Sequence, residues 1–357
     1  MNFRVLMLNE ILLAGFFSSL VISLFAIPSI IRVAQSKGLY GIQRENQPEK
    51  AKVPTLGGLA IFAGAMIPLS LFSTFTGFHE LSYLITGAVM LFFIGLKDDI
   101  LVIAPWWKLL GQLLVALVIS IPGELRISDP GSLLGLHLDG ETFEVLITVI
   151  VIIVLINSYN LIDGIDGLAA GIGLLCSTVF GIVFYKAGLT SWTLLATIFI
   201  GSLAGFTWYN VFSRSKKIYM GDTGSLLLGF LMALMVVRFL NLEQAYFLVW
   251  QIKTPLAFIL AVLVVPLFDT LRIVIVRIIR RRSPLQPDRM HIHYRLVDVG
   301  LTHLQSSGIL LGISLAFIFL VVLLQGLGEI PLIIVLLISA TIISLIPGFY
   351  LRKKTKF

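Results

Sequence analysis

Cysteine and charged residues are both scarce in this sequence of 357 residues. A single cysteine, Cys176, excludes an internal disulfide framework. Charged residues make up 13% of the chain and hydrophobic residues 58%, whereas roughly 25% of a soluble domain is charged. So little charge excludes an ordinary soluble globular protein and indicates an integral membrane protein. The apolar stretches are continuous and near 20 residues long, which predicts spanning helices rather than the strands of a barrel.

The apolar stretches divide the chain into eleven candidate spans. We therefore predict an all-α fold, a polytopic membrane helical bundle with about 11 transmembrane helices in a single domain over residues 1–357. The predicted spans are about 11–33, 55–75, 82–96, 107–121, 145–158, 168–186, 191–209, 224–240, 255–278, 308–325 and 331–350.

Positive charge is distributed unevenly among the connections between these spans. Most of the 26 lysines and arginines lie in alternate connections and at the C-terminal end. Because cytoplasmic loops carry the excess of basic residues, we predict the N-terminus outside and the C-terminus in the cytoplasm. The same rule accounts for the net charge of +7 without a nucleic-acid partner.

Residues 157–171 crowd polar side chains between two apolar runs. They include Asn157, Asn160, Asp163 and Asp166. Carboxylates beside a spanning segment are costly and usually mark an ion, proton or substrate site. Asp163 and Asp166 share a face if the chain is helical there, close to a helix N-terminus that favours phosphate. The alternative is a solvated polar turn, and this stretch alone does not decide between them.

Two further acidic positions lie on the same predicted side of the membrane. Asp98 and Asp99 are adjacent, so a divalent cation or the use of one as a base would relieve their repulsion. The alternative is a solvated helix end with Lys97 as counter-charge. Asp222 begins an apolar run and is a candidate Mg²⁺ ligand. The alternative is that Asp222 or Thr223 is a helix N-cap. Tyr219 offers a face on which a base can stack.

Basic and histidine residues complete this side. Lys50 and Thr55 lie in a turn that can hold phosphate oxygens. His291 and His293 alternate beside Arg289, and without a third ligand nearby they suit phosphate better than zinc. We predict cytoplasmic active-site loops at about 34–54, 97–106, 157–167, 210–224 and 279–307.

These motifs, in this order, resemble the polyprenyl-phosphate N-acetylhexosamine-1-phosphate transferases of glycosyltransferase family 4. The matching runs cover nearly the whole chain: 50–58, 97–99, 157–167, 219–225 and 288–293. The resemblance implies transfer of a sugar 1-phosphate from a UDP-N-acetylhexosamine to undecaprenyl phosphate, with release of UMP. It also implies Mg²⁺ (or Mn²⁺), the bacterial inner membrane with its lipids, a cytoplasmic cleft, one strongly bent helix and, as a further expectation, a homodimer.

The resemblance also assigns roles to individual residues. Asp222 would bind the metal, together with Asp98 and Asp99. The catalytic residues it implies are Asp98, Asp99, Asp163, His291 and His293. The substrate-binding residues it implies are Lys50, Lys52, Thr55, Asn160, Asp166, Asn210, Tyr219 and Arg289.

The subfamily and two alternatives depend on details of these motifs. The run Asp288-Arg-Met-His-Ile-His resembles the WecA/TagO type, which favours UDP-N-acetylglucosamine, whereas MraY-type enzymes have consecutive histidines. Tyr294 stands where a second histidine is usual.

A lipid-linked substrate transporter would need charges inside its spans, and Asp269 is the clearest example. A CDP-alcohol phosphatidyltransferase is excluded because Leu-Ala-Ala-Gly follows the Asp-Gly pair.

Overall fold

The computed structural model describes residues 3–40, 53–131, 140–213, 215–242, 252–281, 283 and 289–354. The described chain is all-helical and contains no β-strand, as predicted. Its thirteen α-helices are α1 (Phe3–Lys37), α2 (Gly57–Phe72), α3 (Leu81–Leu101), α4 (Pro105–Ser120), α5 (Glu141–Ile162), α6 (Leu168–Lys186), α7 (Thr190–Thr207), α8 (Gly221–Leu240), α9 (Pro255–Val262), α10 (Val264–Ile279), α11 (Ile292–Val299), α12 (His303–Leu324) and α13 (Glu329–Lys354).

The number of spans differs from the sequence prediction. Within the described residues, eight helices are long and apolar enough to cross a membrane, or nine if the bent pair α9 and α10 is one span. The count of about eleven is therefore not confirmed. The two remaining predicted spans, 82–96 and 107–121, coincide with α3 and α4. Helix α4 has only 16 residues, fewer than the roughly 20 that cross a bilayer upright.

Helix α8 lies at the centre of the bundle, and nearly all its side chains are buried. It packs against α2, α3 and α5. Glycine allows a close contact with α5, because a Cβ at Gly229 would lie 2.6 Å from Cα of Ile156. Small residues at such contacts let two backbones approach closely, which is how helices associate where lipid supplies no hydrophobic drive.

Hydroxyl groups join α1, α2 and α7 within the bundle. Ser19 donates to the carbonyl of Ile198 at 2.7 Å, and Ser202 donates to the carbonyl of Ile61 at 2.9 Å. Ser23 and Ser202 also lie 3.1 Å apart between their hydroxyl oxygens. Each serine satisfies its own hydrogen bond while linking two helices, so these buried polar groups stabilise the packing.

A sharp bend separates α9 from α10. The two helices make an angle of 82° across Leu263, which confirms the strongly bent helix that the family resemblance implied. Pro266 explains the position of the bend, because its missing N–H leaves the carbonyl of Val262 without a helical donor. Helix α10 then packs against α5 and α12 and carries the buried Asp269.

The close contact at Gly229 predicts a stability difference between two glycine variants. Gly229→Ala places a methyl group against the backbone of α5, so we expect a loss of about 1–3 kcal/mol. Gly312→Ala is the matched control, because Gly312 lies inside α12 and a Cβ there would meet no neighbouring atom within 4 Å. It should be neutral or more stable by up to about 1 kcal/mol. Unfolding in detergent measures both, and equal midpoints would contradict the packing.

Candidate active site

One ammonium group joins two carboxylates where four helices meet. Lys108, in the first turn of α4, places Nζ 3.0 Å from Oδ2 of Asp98 and 2.8 Å from Oδ2 of Asp222. Asp98 is near the end of α3 and Asp222 is in the first turn of α8. From α5, Asn160 donates to Oδ1 of Asp222 at 2.5 Å and to the Ser225 hydroxyl at 2.8 Å. Four separate sequence regions therefore meet at one group of charges.

Helix α4 is held against α5 one turn further along. Asn157 donates to Oε1 of the buried Gln112 at 2.6 Å and to the carbonyl of Ile153 at 2.7 Å. Because Gln112 follows Lys108 by four residues, the two side chains lie on the same face of α4. The contact between Gln112 and Asn157 therefore fixes the position of Lys108 relative to α5.

Asp98 and Asp99 have different surroundings. Asp99 accepts hydrogen bonds from the backbone N–H of Asp222 at 2.7 Å and from that of Thr223 at 3.0 Å. It also accepts from the Thr223 hydroxyl at 2.6 Å. Its carboxylate thus satisfies donors that the start of α8 leaves free. Asp98 accepts from the N–H of Ile103 at 2.7 Å and keeps its other oxygen on Lys108.

The pKa values of Asp98 and Asp99 reflect the burial of both carboxyl groups. Burial raises the pKa of Asp98, and the hydrogen bond and charge of Asp222 raise it further. Burial and then the charge of Asp222 raise the pKa of Asp99 to about 7, although the hydrogen bonds from Thr223 and Asp222 favour its charged form. Carboxylates with raised pKa values in a polar cluster are typical of functional sites.

The segment around Thr55 pairs with the segment before α8. Tyr219 N–H donates to the carbonyl of Pro54 at 2.8 Å, and Gly57 N–H donates to the carbonyl of Tyr219 at 2.9 Å. Gly221 has a φ of +73°, and a Cβ there would collide with the Thr55 carbonyl oxygen. The structure thus brings Thr55 and Tyr219 to the start of α8. The predicted phosphate-binding residues Lys50 and Lys52 lie outside the described residues.

The loop between α5 and α6 forms a second polar cluster. Asp166 accepts from Lys217 Nζ at 2.6 Å, and its Oδ2 lies 3.0 Å from Nδ1 of His303. Burial raises the pKa of Asp166, but the hydrogen bonds from His303 and Lys217 outweigh it, so the pKa lies below its usual value. Asn210 holds the end of this loop by accepting from the N–H of Gly167 at 2.8 Å. Asp166 and Asn210 are therefore close to the α7–α8 connection.

The predicted histidine motif packs against the same loop. The rings of His291 and His293 stack with centroids 5.4 Å apart. A Cβ at Gly164 would collide with Nε2 of His293, so Gly164 and His293 are in direct contact. Arg289 lies over the ring of Tyr294 at 5.2 Å and 3.6 Å from Asp298. Asp163, the C-cap residue of α5, precedes Gly164 directly.

Two groups of residues have ligand atoms for a cation. Asp98 and Asp222 offer hard carboxylate oxygens, and the ammonium of Lys108 between them shows that this position suits positive charge. That donor set fits Mg²⁺. Asp269, His291 and His293 also converge within 4.8 Å. The Arg272 guanidinium lies 2.8 Å from Oδ1 of Asp269, and the two imidazoles of this second group suit Mg²⁺ less well than carboxylate oxygens.

Three residues of these clusters are absent from the predicted site. Lys108, Lys217 and His303 each contact a predicted aspartate. Among these three, Lys108 has a local signal, because a lysine in the first turn of an apolar segment needs a counter-charge. The contact between Lys217 and Asp166 joins residues 51 positions apart, which no sequence spacing indicates.

Known proteins are similar in sequence to most of this chain. The profile of glycosyl transferase family 4 matches residues 81–240. A Bacillus subtilis protein named "Probable undecaprenyl-phosphate N-acetylglucosaminyl 1-phosphate transferase" is 30% identical, over 97% of this chain and 95% of its own length. The Mycobacterium leprae decaprenyl-phosphate N-acetylglucosaminephosphotransferase is 30% identical over 83% and 79%, respectively. The Escherichia coli undecaprenyl-phosphate alpha-N-acetylglucosaminyl 1-phosphate transferase is 28% identical over 77% and 73%.

The contacts of Asp99 predict its effect on stability. Asp99→Ala removes the acceptor for two backbone N–H groups and one hydroxyl at the start of α8, so we expect a loss of about 1–3 kcal/mol. Lys97→Ala is the control, because Lys97 is exposed on the same turn of α3. Thermal unfolding in detergent compares the two variants with the unsubstituted protein. An Asp99→Ala protein as stable as the control would show that this cap contributes nothing.

Proposed function

The chain belongs to glycosyl transferase family 4, and on that premise we propose that it transfers N-acetylglucosamine 1-phosphate from UDP-N-acetylglucosamine to undecaprenyl phosphate. The products would be UMP and a lipid-linked diphosphate sugar of the kind that initiates a cell-envelope glycan. The names of the relatives support the transferred group and the polyprenyl phosphate acceptor. The observation that carries the proposal is the convergence of Asp98 and Asp222 on one cationic group.

The reaction needs two phosphate groups brought together with their charge offset. An oxygen of the acceptor phosphate attacks the β-phosphorus of the donor, the bond from that phosphorus to the bridging oxygen breaks, and UMP leaves with the electron pair. Phosphoryl transfer of this kind depends mainly on positioning and charge stabilisation. Asp98 is the better candidate to take a proton from the acceptor phosphate or to orient it. The oxygens of Asp99 are occupied by the start of α8.

The carboxylates suit a divalent cation. Asp222 and Asp98 would hold Mg²⁺, or Mn²⁺ in its place, and Asp99 would act by fixing the position of Asp222. When bound, the ion would offset the negative charge of the diphosphate. Lys108 adds a permanent positive charge at the same place, and Asn160 orients Asp222.

The second polar cluster suits the donor. His291, His293 and Arg289 can donate to phosphate oxygens, and His293 contacts the loop that contains Asp163 and Asp166. Tyr219 offers its ring to the uracil base. Thr55, Asn160 and Asn210 lie around the start of α8 and the adjoining connection. Lys50 and Lys52 stay predicted phosphate ligands.

An apolar groove suits the lipid acceptor. Side chains of α9, α10 and α13 line it, including Leu267, Phe268, Leu271 and Leu336. Leu267, Phe268 and Leu271 flank Asp269 on α10, and Asp269 contacts His291. A prenyl chain in this groove would therefore lie against α10, the helix whose Asp269 contacts His291.

The membrane setting follows from the same proposal. We propose eleven spans, with α3 and α4 crossing as well, the N-terminus outside and the active site on the cytoplasmic face of a bacterial inner membrane. The predominance of basic residues on one side supports this orientation. The homodimer stays a prediction.

The alternatives differ in donor or class. An MraY-type enzyme would use a muramoyl-pentapeptide donor. The transporter hypothesis depends on Asp269 as a charge inside a span. The contacts of Asp269 with His291 and Arg272 give that charge a local structural partner instead, which favours the enzyme.

Release of UMP by the purified protein tests the proposal. In detergent with undecaprenyl phosphate and Mg²⁺, we expect lipid-dependent release from UDP-N-acetylglucosamine. Asp222→Asn should lower turnover by at least about 100-fold, because it removes a charge that binds the cation. Lys97→Gln serves as the matched control and should be fully active.

Each other outcome has a definite meaning. Release only from the muramoyl-pentapeptide donor would assign the MraY-type reaction. No release from any UDP-sugar would overturn the proposed function. Near-normal turnover by Asp222→Asn would remove that residue from the cation site.

A further inference from the structure

Asp269 is a buried carboxylate outside the motifs that carry the family resemblance. It lies on α10, six residues after the bend at Leu263, and its side chain is 2% exposed. A charge so deeply buried is unfavourable unless it is paired and hydrogen-bonded. Its partners therefore indicate why the chain keeps it there.

The first partner is the ring of His291, whose side chain is 3% exposed. Oδ2 of Asp269 lies 2.8 Å from Nδ1 of His291. An ionised carboxylate can only accept a hydrogen bond, so this contact requires the proton on Nδ1. The orientation of the ring and its tautomer are then fixed, which leaves Nε2 as the ring atom that can serve a substrate.

The other partners hold the backbone of the same segment. Oδ1 of Asp269 accepts from the N–H of Ile292 at 3.1 Å and from Arg272 at 2.8 Å. Arg272 donates in turn to the carbonyl of Met290 at 2.5 Å. Asp269 and Arg272 thus fix the backbone on both sides of His291 as well as its ring.

Packing contacts connect His291 to the second polar cluster. His291 stacks on His293, and His293 contacts Gly164 in the loop that contains Asp163 and Asp166. Because the packed rings have little freedom to move independently, a shift of His291 would also shift His293.

We propose that Asp269 is a positioning residue for the transfer reaction. It holds His291 in the Nδ1-protonated state and, together with Arg272, ties the backbone of residues 290–292 to α10. Nε2 of His291 is thereby left to serve the phosphates, to which it can donate when it also carries a proton. The expected effect on kinetics rests on the proposed function. The contact between Asp269 and His291 is independent of it. Carboxylates that orient a functional histidine through Nδ1 commonly change activity by 10- to 100-fold when removed, as at metal sites.

A double-mutant comparison tests whether Asp269 acts through His291. Asp269→Asn should lower kcat by about 10- to 100-fold and leave KM for the UDP-sugar within about threefold. His291→Gln should cost at least as much. If Asp269 acts through His291, the double variant loses no more than His291→Gln alone. Losses that multiply in the double variant, or full activity of Asp269→Asn, would overturn the proposal.

Thr270→Val is the matched control for folding and position. Thr270 is adjacent on α10, and its hydroxyl makes no hydrogen bond among the described residues. The substitution preserves shape, so activity should be unchanged. Because it removes a buried hydroxyl that makes no hydrogen bond, the unfolding midpoint should stay equal or rise. A loss of activity equal to that of Asp269→Asn would mean that this part of α10 is merely sensitive to substitution, and would contradict a specific role for the carboxylate.

A spectroscopic measurement separates this proposal from the proposed function. In protein labelled with ¹⁵N-histidine, His291→Gln assigns the His291 signals. We expect a protonated Nδ1 in the unsubstituted protein, with or without a working donor, and loss of that fixed state in Asp269→Asn. An unprotonated Nδ1 in the unsubstituted protein would overturn the inference even if UMP is released. A protonated Nδ1 without UMP release from any donor would overturn the proposed function and keep the pairing.

Discussion

The contact of one ammonium group with two carboxylates is the interaction on which the polar end of this bundle depends. Lys108 lies between Asp98 and Asp222, and these three residues come from α4, α3 and α8. Two unit charges 4 Å apart interact by about 4 kcal/mol at an effective dielectric constant of about 20. Without a positive charge between them, the two carboxylates would therefore oppose the packing of α3 against α8.

The apolar packing brings the backbones close enough for these charges to meet. A Cβ at Gly95 would collide with Cα of Thr223, so α3 and α8 are in backbone contact beside the site. That approach allows Asp99 to reach the N–H groups of Asp222 and Thr223. The same residues that cap α8 thus direct Asp222 toward Lys108. The same contacts therefore stabilise the start of α8 and set the geometry of the site.

Adjacent residues acquire different roles through this arrangement. Asp99 faces the start of α8, whereas Asp98 faces Lys108. In the proposed reaction, Asp98 is left to act on the acceptor phosphate and Asp99 fixes its neighbours. The histidine motif is held in a comparable way, because Asp269 and Arg272 fix the segment that contains His291.

Much of the fold and part of the site can be predicted from the sequence. Scarce charge and long apolar runs are local properties, so the all-helical membrane fold is predictable. The adjacent carboxylates Asp98 and Asp99 are recognisable, but their division of roles depends on where α8 begins in space. Lys108 is recognisable only as a lysine that needs a counter-charge, because its partner Asp222 is 114 positions away.

The bend between α9 and α10 and the number of spans also depend on packing that the sequence alone does not reveal. Pro266 is visible in the sequence, but the angle of 82° depends on how α9 and α10 pack. In the sequence alone Asp269 stands out as a charge inside an apolar run, which a transporter would need, because its partner His291 lies 22 positions further along the chain. The segments 82–96 and 107–121 are apolar enough to predict spans. Helices α3 and α4 lie at these segments, and α4 has only 16 residues.

The most direct test of the role of Lys108 is the unfolding temperature of Lys108→Gln as Mg²⁺ is added. Without Mg²⁺, we expect a lower midpoint than in the unsubstituted protein, because two carboxylates then face each other without a counter-charge. Added Mg²⁺ should raise the midpoint more in Lys108→Gln than in the unsubstituted protein or in Lys97→Gln. A Lys108→Gln midpoint that equals that of the unsubstituted protein and does not respond to Mg²⁺ would contradict this role of Lys108.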